Sequence, residues 1–138
     1  ASFHQSTLVK RADEYGPMLR DLLRDGLKVD AVTYSRALER RLKFQADAYA
    51  LSRQVDVLLT PTTPTPAPAD LTDTGSAVFQ GPWTSCGLPT ITIPSGLSSS
   101  GLPLGIQLIA APFGEERLLA VARWCEEQLE VTLTPPLD

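Results

Sequence analysis

Histidine occurs once, at His4, and lysine only at Lys10, Lys28 and Lys43, all upstream of the extended stretches. A side-chain nucleophile needs a base within hydrogen-bond reach, most often His or Lys. No serine sits in a GxSxG elbow, so no catalytic residue is assigned within the chain. Cysteine is scarce too. Cys86 and Cys125 are too few for a disulfide framework, and no CxxC or Cys/His spacing marks a metal site. The expectation is a protein without metal or cofactor in a reducing cytoplasm. No apolar run approaches the roughly 18 residues of a membrane span. The basic residues are scattered and not interleaved with aromatics, which argues against a nucleic-acid surface.

What is present fits one compact α/β unit with a real core: 138 residues, 43% hydrophobic, 20% charged, net charge −4. The chain starts at Ala1 without Met, as a segment cut from something longer does. Residues 2–27 read as two short helices separated by Gly16-Pro17, the second ended by a left-handed cap at Gly26. Asp30 is an N-cap for a longer helix over 31–54. Residues 55–60, VDVLLT, read as a buried strand in which Asp56 is satisfied by backbone or an arginine. Pro61, Pro64, Pro66 and Pro68 then force an extended surface segment.

Asp73 or Thr74 caps a helix expected to run to Trp83, interrupted by Gly81-Pro82. Two alternating strands follow, 90–94 and 102–110, with Ile91 and Ile93 on one face of the first and Leu104, Ile106, Leu108 and Ala110 on one face of the second. The SGLSSSG between them is a turn, so these strands form the central hairpin. Its serines have nothing nearby to activate them and are read as turn residues. GEERLLAVARWCEEQLE is the clearest helix, with an apolar stripe of Leu118, Leu119, Val121, Ala122, Cys125 and Leu129. Thr134-Pro135-Pro136 cannot continue it. His4 is read as a surface or packing residue, and Cys86, weighed as a nucleophile, is read as an inert thiol because no His or Lys neighbours it to lower its pKa. Phe79 and Trp83 are the residues best suited to offer an apolar wall.

Two groups of residues carry a resemblance. Asp56, Leu58, Leu59, Pro61, Thr62, Pro64 and Ala67 form the first. Gly87, Pro89, Pro94 and Gly96, then Gly101, Leu102, Pro103, Gly105, Gln107, Leu108 and Ile109, form the second, followed by the helix that opens on a glutamate pair. In this order they resemble the carboxy-terminal part of the amidase signature family, with His4, Tyr15, Gly16 and Arg40-Arg41 similar to the segment that precedes it. The resemblance implies a fragment of the amidase-type mixed β-sheet flanked by helices: residues 1–54 helical, 55–138 strands and a final helix.

It also implies an amide hydrolase with a Ser, cis-Ser, Lys triad on the amino-terminal side, outside this sequence. This portion would then supply sheet and pocket wall, with Phe79, Trp83, Thr84 and Cys86 as substrate-binding candidates. The implied partners are a small-molecule amide, the rest of the amidase chain, and another copy against an exposed sheet edge; no nucleic acid and no membrane are expected. Members similar to the A-type component of glutamyl-tRNA amidotransferase have Asn where Thr84 stands and Asp where Ala77 stands, which favours a simple amidase acting on aliphatic or aryl amides. The alternatives are a binding or scaffold module that lost catalysis and a tRNA-dependent amidotransferase subunit.

Overall fold

A computed structural model describes residues 1–132; the Thr134-Pro135-Pro136 stop lies outside them. The chain divides into two compact units, Ala1–Arg40 and a second that begins at Arg41. In the first, short 3-10 turns at Ser2–His4 and Ala12–Glu14 alternate with α1 (Gln5–Lys10) and α2 (Pro17–Lys28), and Leu8 and Leu23 are its buried side chains. Pro17 opens α2 as expected. Gly26 does not end it: α2 runs on to Lys28, and Val29 is extended. A Cβ on Gly26 would lie 2.9 Å from the Ala1 side chain, so this glycine serves close approach rather than a cap.

The junction between the units falls inside α3 (Ala31–Ser52). Asp30 begins α3 as its sequence position predicts, Oδ1 accepting the Thr33 amide and Oδ2 the Thr33 hydroxyl, both at 2.8 Å.

In the second unit β1 (Leu58–Pro61), β2 (Thr90–Leu97) and β3 (Pro103–Ile109) form an antiparallel sheet in the order β1-β3-β2. The expected hairpin is present, with Thr90 opposite Ile109 and Ile93 opposite Ile106. Because the strands are antiparallel, the two Gly-Leu-Pro turns lie at its opposite ends. The first strand is longer than expected and passes a bulge between Pro94 and Gly96, where Gly96 has φ +143°. Pro94 beside a bulge on an edge strand removes no needed donor.

β3 is the buried strand. Gln107, Leu108, Ile109 and Ala110 are all buried, so helices must cover both faces. On one face Leu108 and Ala110 pack with Ile93, Leu118 and Ala122, the last two from α5 (Glu115–Leu129). On the other, Ile109 packs with Ala48 of α3 and with Cys86 and Leu88, at and just after the end of α4 (Gly81–Cys86).

Three expectations are corrected. The 55–60 run is not a buried strand: β1 starts at Leu58, lies at a sheet edge and alternates, with Leu59 60% exposed. No helix runs from Asp73 or Thr74 to Trp83. Gly75 takes φ +77°, and helix begins only at Gly81, where Pro82 fits the first turn. Leu119 is off the stripe of α5, which buries Leu118 and Ala122 and packs Val121 and Cys125 against the same cluster.

The Asp30 carboxyl is held below its ordinary 3.8, first by the Thr33 amide and then by the Thr33 hydroxyl. Its contribution is therefore complete above pH 3.8 and fades as pH falls through the lowered native value. Asn caps as well as Asp without titrating. Asp30→Asn is expected to keep the neutral-pH helix content and to flatten its acid loss, measured by far-ultraviolet circular dichroism; identical acid profiles would count against the cap.

Candidate functional site

Alternation in TITIP and LGIQLI places isoleucine and leucine on the α5 face and leaves Thr90, Thr92, Gly105 and Gln107 on the other. Thr60 of β1 shares this face, opposite Gln107. Past Ile109 it is therefore polar. Gln107 is 2% exposed, and its Nε2 donates to the Phe79 carbonyl at 3.0 Å and to Thr60 Oγ1 at 3.3 Å. A buried amide without partners costs about 1–3 kcal/mol, so this side chain fixes the chain just ahead of α4.

Beyond Gln107 the face opens into a cleft of about 640 Å³ whose lining includes Thr62, Pro66, Asp70, Ser76, Thr92 and Gly105. Gly105 is its floor: a Cβ there would stand 2.9 Å from Thr92 Cγ2 and 3.0 Å from Thr62 Oγ1. The Thr62 and Thr92 hydroxyls bond each other at 3.3 Å. Asp70, at the rim, accepts the amide and hydroxyl of Thr72 at 2.8 Å each, and these bonds, the amide first, hold its carboxyl below the usual range. The cleft thus offers hydroxyls, a fixed negative charge and proline surface. It can hold and orient a small polar group.

The four candidates from sequence sit together on a neighbouring stretch and do not line this cleft. Phe79 is half-buried and gives its carbonyl to Gln107. Trp83 is half-buried, packs against the cluster of Ala48, Cys86, Leu88 and Ile109, and has the Phe44 ring 6.1 Å away. Thr84 is exposed on α4. Cys86 is 0% exposed, so its thiol faces the core and only its carbonyl is directed at a polar partner.

Other sequence readings can be placed as well. His4 Nδ1 lies 3.1 Å from the Tyr15 hydroxyl, a packing pair within the first unit. Ser98 Oγ accepts the Leu102 amide at 3.1 Å and lies 2.9 Å from Ser100 Oγ, so the serine loop closes on itself as a turn. Asp56 takes Arg117 of α5 at 2.9 Å. Among the described residues no three His, Cys, Asp or Glu side chains gather as a metal site, and no helix is long and apolar enough to cross a membrane.

Thr92 was missed by sequence reasoning, and Thr62, Gly105 and Gln107 entered it only as parts of the resembling motifs. The signal was there: the polar half of each alternation, opposite the apolar half that defined the core.

Comparison with known proteins identifies the family and the fold. The Amidase family model matches residues 7–119, and the chain belongs to that family. It is 34% identical over 126 residues to putative amidase AmiD of Mycobacterium tuberculosis, which covers 84% of this chain and 26% of that protein. It is 48% identical over 85 residues to the A-type component of the mitochondrial glutamyl-tRNA(Gln) amidotransferase of Xenopus laevis, covering 55% of this chain and 16% of that one. Among solved structures, a crystal structure of an amidase superposes with a TM-score of 0.77 at 26% identity over 91% of this chain and 31% of its own. A protein from a vestigial complex tied to the origins of an s-triazine catabolic enzyme gives 0.82 at 27% identity, over 92% and 31%. The chain spans about a quarter of the length of the AmiD relative.

Gly105→Ala is expected to destabilise the protein by about 1–3 kcal/mol, because a methyl group is forced into a packed place. Thr92→Ser, which removes the nearest methyl, should recover part of that loss. Urea unfolding of the four variants of this cycle checks it, and a Gly105→Ala protein of unchanged stability would rule out the close approach.

Proposed function

We propose that this chain is the carboxy-terminal part of an amide hydrolase, supplying sheet and substrate-pocket wall to a serine-based C–N bond hydrolysis. The observation that carries the reading is the separation of parts. The family and its fold are present, but no hydrogen bond joins a serine to a His or Lys side chain among the described residues: His4 is paired with Tyr15, Lys28 with Asp25 and Lys43 with Asp47, and Lys10 lies at the end of α1 in the first unit. The nucleophile and its lysine, the Ser, cis-Ser, Lys set of the amidase resemblance, then belong to residues outside this sequence. There a serine oxygen attacks the amide carbonyl, the C–N bond breaks as the leaving nitrogen takes a proton, and water releases the acid from the acyl-enzyme.

In this reading Phe79, Trp83 and Thr84 border the substrate, with Cys86 behind them in the core, and the wall works by orienting the amide against the nucleophile. The outer edges of β1 and β2, which have no strand partner among the described residues, take the rest of the amidase domain; a second copy is the alternative. Both cysteines are free, in keeping with a reducing, cytoplasmic setting.

A second reading, an A-type amidotransferase component, draws on the 48% identity to the Xenopus protein. Ala77 and Thr84 weigh against it, since the resemblance places Asp and Asn at those positions in such proteins.

The longest reading frame that carries this chain is expected to hydrolyse acyl p-nitroanilides, while the 138 residues alone give no turnover. Free glutamine should be at least about tenfold poorer in kcat/KM, because no carboxylate stands at Ala77 to hold its amino group. Turnover by the isolated chain, abolished by a substitution within it, would overturn the assignment. A preference for glutamine would favour the second reading.

A further inference from the structure

We infer that Gln45 and Tyr49 of α3 are positioning residues for substrate selection, acting through the end of α4. This rests on the reading that α4 borders the substrate. α4 is six residues long, too short to persist on its own helical hydrogen bonds. What holds it is the treatment of its last four carbonyls. Gly87 adopts φ +69°, which lets the Leu88 amide reach the Trp83 carbonyl and the Gly87 amide the Thr84 carbonyl, each at 3.2 Å. This is a Schellman closure, and Leu88 and Trp83 pack in one apolar cluster beside it.

The next two carbonyls have no backbone partner and are met by α3. Arg41 Nη1 donates to the Ser85 carbonyl at 3.4 Å. The Cys86 carbonyl accepts twice, from Gln45 Nε2 at 2.8 Å and from the Tyr49 hydroxyl at 2.9 Å, while Gln45 Nε2 also lies 3.1 Å from the Tyr49 oxygen. Arg41, Gln45 and Tyr49 are spaced four apart, so they form one stripe along a single side of α3.

Polar side chains on a packed helix face are unfavourable unless they answer polar groups opposite, and here each answers a carbonyl of α4. Cys86 is 0% exposed, so water cannot substitute for a lost donor. At its other end α4 is held through the Phe79 carbonyl by Gln107. Trp83 and Thr84 therefore ride on a short helix pinned at both ends, one end by the sheet and the other by Gln45 and Tyr49. Removing either α3 donor frees the end that carries Thr84 and Trp83, and the wall gives way to a long acyl chain before it affects the reacting carbonyl.

The test uses the longest reading frame that carries this chain, with acetyl, butyryl and hexanoyl p-nitroanilides as probes. Tyr49→Phe and Gln45→Met are each expected to raise KM for the hexanoyl anilide about fivefold to tenfold relative to the acetyl anilide, the size of one lost buried hydrogen bond, while kcat changes less than about twofold. Acrylamide quenching of Trp83, taken as the difference from the matching Trp83→Phe protein, should rise in both variants. Higher quenching with an unchanged KM ratio would make the two residues purely structural and overturn the inference. So would the absence of any change in quenching. Trp83→Ala separates the underlying reading: if it leaves the relative KM of the three anilides unaltered, α4 does not border the substrate and the inference falls with that reading, whereas an unsubstituted protein that hydrolyses none of the anilides would overturn the hydrolase reading itself and the inference with it.

Discussion

β3 is hydrogen-bonded along both edges and covered on both faces, and the arrangement of the second unit follows from that position. Leu108 and Ile109 are at most 1% exposed and point to opposite sides. Each contributes about 1.5–3 kcal/mol of apolar burial, which neither delivers without a cover on its own face. α5 provides one cover, and Ala48, Cys86 and Leu88 the other. Gln107 sits on the second face and cannot be dry. Its amide must find partners, and those it finds, Phe79 and Thr60, tie the approach of α4 to the sheet. An apolar residue there would save the desolvation of one amide and leave the Phe79 carbonyl without its donor. The net energy is small either way, so what Gln107 contributes is location more than stability.

Much of this was legible in the chain. The alternation of Thr90 to Pro94 and of Leu104 to Ala110 named the hairpin, Asp30 named the start of α3, and the stripe of α5 was readable from its spacing. Such features depend on local pattern or on one cap, and both are encoded within a few residues. The misreadings share a different character. VDVLL looks like a buried strand because it is apolar, yet β1 lies at an edge, and burial there depends on chain brought from elsewhere. Gly26 looks like a helix end but lies inside α2, where what it answers is the close approach of Ala1 from the start of the chain. α4 has almost no local signature beyond Gly-Pro at its start and Gly at its end, because the donors to its final carbonyls lie some forty residues earlier, at separations of 41 and 37.

The candidate site divides along the same line. Phe79 and Trp83 were visible as bulky apolar residues in a stretch that needed an explanation. Thr62, Thr92 and Gly105 were not, because the alternation was read for the residues it buries. A strand pattern has two halves, and the half that avoids the core is the one that can meet a ligand. Gly105 illustrates the cost of reading only one: within a strand, glycine weakens packing unless something approaches closely, and Thr92 of β2 approaches it on one side and Thr62, just past the end of β1, on the other.

These two regions stand next to one another because they use successive positions of one sheet face. Ile109 anchors the apolar cluster behind α4, Gln107 ties down the turn before it, and Gly105 leaves room beyond. Stepping two residues at a time along β3, the face passes from dry to hydrogen-bonded to open over about 14 Å. Only the last of these positions is open to a bound molecule, since Ile109 and Gln107 are buried beneath the chain they hold. A strand that was apolar at all three positions would bury more surface and leave nothing to orient; one that was polar throughout would not hold α4. The glycine, the glutamine and the isoleucine are therefore best understood as one graded surface, whose order along the chain matters as much as their identities.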